Sequence, residues 1–194
     1  MKKHLLLGLL ATTLTLPAFA ALKEGDTAPN FKIPASFAGK ATEFSLKDQL
    51  KKGPVVVYFY PSAYTNGCNL QAHTFSVNSE KFTAAGATII GVSQDDIGRL
   101  NEFSADPEFC AGKIAVGSDA DGKVAKSFQL ETRPAAEGKK DTRGVTIDHG
   151  FTERTTFIVT PDGKIAATIG GLTSPENVAK SLEAVEKLAA AKKG

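Results

Sequence analysis

The chain has 194 residues, 42% of them hydrophobic, with 23 Lys and Arg against 21 Asp and Glu, two cysteines and no tryptophan. That length suits one domain with a sizeable core. The two surplus cations are Lys2 and Lys3, so beyond the first stretch 23 − 2 = 21 basic side chains meet 21 acidic ones. A balanced surface argues against binding nucleic acid or an anionic membrane through bulk electrostatics.

Residues 1–20 read as a signal peptide. Lys2, Lys3 and His4 form a positive start, Leu5 to Leu16 is apolar but too short to span a bilayer, and Ala18-Phe19-Ala20 offers a small-x-small cleavage site. The mature chain is expected at 21–194, as a single domain in a bacterial periplasm or outside the cell, with no membrane attachment after cleavage. No repeat, proline-rich linker or low-complexity tract divides it.

Pro54 to Tyr60 is a continuous apolar run, the mark of a strand covered on both faces. A helix follows from about Gly67 to Ala85, with Leu70, Phe75 and Phe82 as inward candidates. Ala87 to Ser93 reads as a second buried strand and Asp95 to Asp106 as a helix, with Ile97, Leu100 and Phe103 spaced by three. Ile114 to Val116 is a short strand and Val124 to Phe128 a short helix. Glu131 to Gly150 is the loosest part, and Pro134 to Asp141 reads as an exposed loop. Thr155 to Val159 and Ile165 to Ile169 flank Pro161-Asp162-Gly163, where proline fixes one φ and glycine frees the next, so a hairpin is expected. Ser174 is read as the cap of a last helix with Pro175 at its first position and a stripe of Val178, Leu182, Val185 and Leu188. Alternating strands and helices that end in a hairpin and a helix make an α/β sandwich with a central mixed sheet. The thioredoxin-like fold is the best match.

Cys68 lies where the first strand runs out through Pro61-x-x-x-Thr65-x-x-Cys68 into the helix. A thiolate in the first turn of a helix is stabilised by unpaired backbone N–H groups and the helix dipole. This is the layout of a reactive cysteine. The spacing resembles the peroxidatic motif of the peroxiredoxins, and Arg154-Thr155-Thr156-Phe157 ahead of Pro161-Asp162-Gly163-Lys164-Ile165 resembles their second signature. The likeness runs from Gly25-Asp26-x-Ala28-Pro29-x-Phe31 to the last helix.

The resemblance implies a thiol-dependent peroxidase that reduces hydrogen peroxide or small organic hydroperoxides. Cys68 would attack one peroxide oxygen and become a sulfenic acid. Arg154 would favour the thiolate and aim N–H donors at the peroxide as charge moves onto the leaving oxygen. Thr65 would orient the peroxide, and Pro61 would shield the sulfur. No flavin, haem or metal is needed. Electrons would come from a thiol donor, whether a thioredoxin-like protein, glutaredoxin or glutathione. A monomer or a homodimer is expected.

Three positions depart from the family pattern. Asn66 stands where many members have proline. Gln71 occupies a place often held by glutamate, which leaves only amide hydrogen bonding there. His73 stands five residues after Cys68, where the bacterioferritin-comigratory branch often has its second cysteine. Cys110 remains, in a place that resembles the resolving position of the thiol-peroxidase branch, which implies an intrachain Cys68–Cys110 disulfide during turnover. A permanent structural disulfide, and an idle Cys110 with an outside thiol as resolver, stay open at this point.

Two other classes share the fold. A thiol-disulfide or redox-relay protein of the thioredoxin type would use Cys-x-x-Cys, but the third residue after Cys68 is Gln71, and no proline precedes the strand at Thr155. A non-enzymatic copper chaperone would need a closer cysteine pair and a placed histidine, whereas His149 stands in the loosest segment.

Overall fold

The computed structural model describes residues 20–192. Residues 1–19 of the expected leader lie outside the described residues. The chain runs through β1 (Lys32–Phe37), β2 (Lys40–Ser45), α1 (Leu46–Leu50), β3 (Val55–Phe59), α2 (Asn66–Ala84), β4 (Thr88–Ser93) and α3 (Ile97–Ala105). It continues with β5 (Ala115–Ser118), α4 (Lys123–Ser127), β6 (Thr132–Arg133), β7 (Phe151–Thr152), β8 (Thr155–Val159), β9 (Ile165–Gly170) and α5 (Ser174–Ala191).

Seven strands form one mixed sheet in the order β2-β1-β5-β4-β3-β8-β9, with β3, β4 and β5 mutually parallel at its centre. Strand β3 is buried along its whole length, as its unbroken apolar run requires. Its side chains alternate between two cores. Val55, Val57 and Phe59 join Leu46, Leu50, Val124 and Phe128 on the face covered by α1 and α4. Val56, Tyr58 and Tyr60 join Phe75, Phe82, Leu100, Phe103, Val178 and Val185 on the face covered by α2, α3 and α5. The sandwich is of the thioredoxin-like type.

The β1–β2 hairpin and α1 were not foreseen. Their turn is Ala38-Gly39, both left-handed at φ 50° and 77°, and it lacks the Asn-Gly or Asp-Gly pair that announces such a turn in a sequence. Two side-chain expectations shift. Leu70 is exposed, because the inward face of α2 is made by Cys68, Gln71, Ala72 and Phe75. The cap of α5 is Thr173, one residue earlier than read, and Glu176 accepts from its backbone N–H at 3.1 Å and its hydroxyl at 2.6 Å.

The segment 131–150 differs most from its reading. Residues 134–140 are almost all exposed, as expected, but Asp141 and Ile147 are buried. Its second half is not loose: it folds back onto the loop that precedes α2, where Thr142 donates to the Tyr64 carbonyl from both its N–H and its hydroxyl, each at 2.8 Å.

Candidate active site

Cys68 is the third residue of α2, 2% exposed, and its own N–H bonds back to the Thr65 carbonyl at 2.9 Å. Arg154 stands on the two-residue link between β7 and β8, which brings it over the start of α2. Its Nη2 donates to Cys68 Sγ at 3.3 Å and its Nη1 donates to the Gln71 side-chain oxygen. The guanidinium thus lies directly against the sulfur, placed to stabilise negative charge that develops there. Gly67 permits the approach, since a Cβ there would lie 3.2 Å from Arg154 Nη2.

The guanidinium is itself held. Gln71 is wholly buried, and its amide nitrogen donates to Asn177 Oδ1 at 3.0 Å. Thr156 donates to the same oxygen at 2.6 Å, and the Asn177 amide donates to the Ile169 carbonyl at 3.0 Å. Four elements, α2, β8, β9 and α5, thus fix one arginine. Ser174, at the start of α5, donates to the Gly67 carbonyl at 2.6 Å and ties down the first turn of α2.

Thr65 caps α2 by position, but its hydroxyl donates back to the Ser62 carbonyl at 2.9 Å. With its one proton committed, its oxygen is left to accept. Pro61 opens this loop and is half-buried. Tyr64 sits between them in the left-handed region at φ 59°.

Cys110 is wholly buried in the turn after α3, in the same apolar cluster as Cys68, and both are free thiols. Burial pushes the Cys110 thiol up, and Asp106 adds to this. His73 on α2 contacts this turn through Nδ1 and the Glu108 carbonyl at 2.9 Å. Among the described residues no cluster of His, Cys, Asp and Glu with metal-binding geometry occurs.

Behind the loop lies a second polar centre that the sequence reading missed. Asp95 accepts from Ala63 N–H and Ser93 Oγ through Oδ2, both at 2.7 Å, and from Ser62 Oγ, Arg99 Nε and His149 Nε2 through Oδ1 at 2.9, 2.8 and 2.9 Å. Burial alone would raise the Asp95 carboxyl, but the hydrogen bond and charge of His149, with the Ala63 amide, hold it below its ordinary value. Ser62 and His149 do not make a hydrolase pair, because the buried Ser62 hydroxyl donates to the carboxylate. The one available signal was Asp95-Asp96 before a helix, which reads as a cap, and Asp96 does serve as one.

The comparisons with known proteins agree with this geometry. The model of the AhpC/TSA family matches residues 24–168. A putative peroxiredoxin bcp of Helicobacter pylori is 32% identical over 164 residues, 84% of this chain and 98% of that one. Peroxiredoxin Bcp of Escherichia coli is 33% identical over 144 residues, 74% of this chain and 83% of its own. Among solved structures, peroxidoxin BcpB from Mycobacterium tuberculosis superposes with a TM-score of 0.70 at 28% identity, covering 86% of this chain and 97% of that one. Peroxiredoxin Q of Xanthomonas campestris gives 0.66 at 25% identity, covering 87% and 98%. The family match takes in both the Cys68 turn and the arginine bonded to its sulfur, and the relatives align over most of their length: the chain belongs to the peroxiredoxins of the AhpC/TSA family.

Proposed function

We propose that this protein is a thiol-dependent peroxidase in which Cys68 is the peroxidatic residue. The observation that carries the assignment is Arg154 Nη2 donating to Cys68 Sγ at 3.3 Å in the first turn of α2. The Cys68 thiolate attacks one oxygen of the peroxide, the O–O bond breaks, and hydroxide or alkoxide leaves and is protonated while the sulfur becomes sulfenic acid. Arg154 directs donors to the oxygen that gains charge. Thr65, its own proton committed to the Ser62 carbonyl, accepts a hydrogen bond from the hydroperoxide O–H and so orients it. Pro61 walls off the sulfur.

Cys110 is the proposed resolving residue. Its sulfur, giving up the thiol proton, attacks the sulfenic sulfur; an S–S bond forms, the S–O bond breaks, and hydroxide leaves with that proton as water. A free Cys110 in the same cluster as Cys68 supports this reading and speaks against a permanent disulfide. Both sulfurs are buried and unbonded to each other, and in this scheme the turn at 106–112 and the start of α2 open to bring them together and admit the reductant. A thiol reductant, thioredoxin-like, glutaredoxin or glutathione, then returns both sulfurs to thiols. Export to the periplasm or outside the cell is part of the same proposal, supported by the leader pattern of residues 1–20, and a monomer or homodimer remains the expected state.

The test is mass spectrometry of the reduced protein after one equivalent of hydrogen peroxide, with peptide mapping. A Cys68–Cys110 disulfide that is absent in Cys68→Ser is the expected result. A sulfenic or sulfinic Cys68 beside a free Cys110 would keep the peroxidase and replace the resolver by an outside thiol. No oxidation beyond that of an ordinary thiol would reject the assignment.

A further inference from the structure

We propose that His149 is a positioning residue for Cys68 oxidation: as an imidazolium it binds Asp95 and, through Asp95, holds the Ser62–Ala63 backbone from which the Thr65–Cys68 turn departs. The inference rests on Cys68 being the residue that peroxide oxidises.

The charge state follows from geometry. His149 Nδ1 lies 2.9 Å from the Gly150 carbonyl and Nε2 lies 2.9 Å from Asp95 Oδ1. Both oxygens only accept, so both ring nitrogens must carry protons. The nearby Ser62 Oγ, 3.3 Å from Nε2, has its own proton on Asp95 and needs none from the ring. Charge balance agrees. The side chains of Asp95 and Asp141 are fully buried, and the cations most buried against them are Arg99 and His149, 10% and 13% exposed. Facing His149 across the adjoining cleft are also Asp96, Glu102, Arg143 and Asp148, with Arg143 shared between Glu102 and Asp141. A neutral His149 would leave the buried carboxylates under-compensated. Burial lowers the His149 value, but the Asp95 hydrogen bond and charge outweigh it, and the net shift is upward.

The loop needs such a hold. Tyr64 at φ 59° occupies the left-handed region, which an L-residue other than glycine keeps only where the surroundings impose it. The 141–150 segment does so: Thr142 takes the Tyr64 carbonyl twice, and the Arg143 guanidinium lies 3.3 Å above its ring. That segment is fastened at its far end by His149 to Asp95 and by Gly150 N–H to Gln94 at 3.1 Å. Deprotonating His149 puts a lone pair against either Asp95 or the Gly150 carbonyl. The fastening loosens, Tyr64 relaxes, and Thr65 and Cys68 lose register with Arg154.

The experiment measures the second-order rate of Cys68 oxidation by hydrogen peroxide, by timed alkylation and mass spectrometry, from about pH 5 to about pH 10. Wild type and His149→Gln are compared, since glutamine keeps a neutral N–H donor for Asp95. The wild-type rate should fall roughly tenfold on an alkaline limb, while His149→Gln should be slower at neutral pH and lack that limb. Nitrogen NMR of the wild-type ring should show both nitrogens protonated at neutral pH. Superimposable profiles would overturn the proposal, and so would a neutral ring at that pH, which is read on the wild type and stands even if the variant fails to fold. A wild-type Cys68 that peroxide leaves untouched, with the ring still doubly protonated, would instead overturn the peroxidatic assignment and this role with it.

Discussion

Arg154 presents two nitrogens to two acceptors, Nη2 to Cys68 Sγ and Nη1 to the Gln71 oxygen. Lysine has a single mobile charge and cannot keep both bonds. Arg154→Lys should therefore lower the single-turnover oxidation rate of Cys68 by about 10- to 100-fold, the equivalent of one charge-assisted hydrogen bond of ~1.5–3 kcal/mol. An unchanged rate would mean that the guanidinium fork is immaterial. Cys68, Thr65 and Arg154 were legible because each belongs to a short run with fixed spacing. Asp95 and His149 were not, since the pair is 54 positions apart and neither partner carries a local pattern. His149 in particular stands among residues whose composition says only that they turn.

Elements decide whether the two sulfurs meet. Ser174 at the head of α5 bonds the Gly67 carbonyl in the first turn of α2, and His73 bonds the Glu108 carbonyl in the turn that carries Cys110. Each contact keeps its sulfur where it lies, so each opposes the opening that disulfide formation requires. Ser174→Ala and His73→Ala should both speed formation of the Cys68–Cys110 disulfide after peroxide, several-fold if each removes a net ~1 kcal/mol, with less change in the first oxidation. Slower disulfide formation in both variants would show that these contacts guide the approach of the sulfurs instead. Strands β3 and β4 were legible from apolar runs, β8 from the Pro161-Asp162-Gly163 turn that follows it, and α3 from its spacing of three. The β1–β2 hairpin was hidden by an Ala-Gly turn, and the depth of Asp141 by a segment whose neighbours are all polar or small. Burial there comes from ion pairs with Arg99 and Arg143, which hydrophobic periodicity does not register.

For the whole molecule, the centre behind the loop sets a pH window of stability. The folded His149 value lies above its ordinary one, so its contribution is complete below about pH 6.5 and is lost as pH rises through the raised value. The folded Asp95 value lies below its ordinary one, so its contribution is complete above about pH 4 and is lost as pH falls through the lowered value. The pair thus contributes fully between about pH 4 and 6.5. Melting temperatures of wild type and His149→Gln should differ most inside that window and converge above it; a constant difference would contradict the linkage. Gln71 carries a consequence of another kind. Being an amide, it gives Arg154 a hydrogen bond but no counter-charge, so in the proposed mechanism the charge that Arg154 meets is the one the Cys68 sulfur carries when it reacts. Forming a disulfide removes that charge and leaves a half-buried cation facing only dipoles. On that account the reduced form is favoured electrostatically, and the proposed Cys68–Cys110 disulfide is expected to be the stronger oxidant for it. Gln71→Glu should make the reduction potential, measured against a dithiol buffer, more negative by tens of millivolts, since ~30 mV corresponds to ~1.4 kcal/mol in a two-electron couple. A shift the other way would refute it. If the potential shifts as expected, glutamine at this position is what lets a weakly reducing thiol serve as the electron donor.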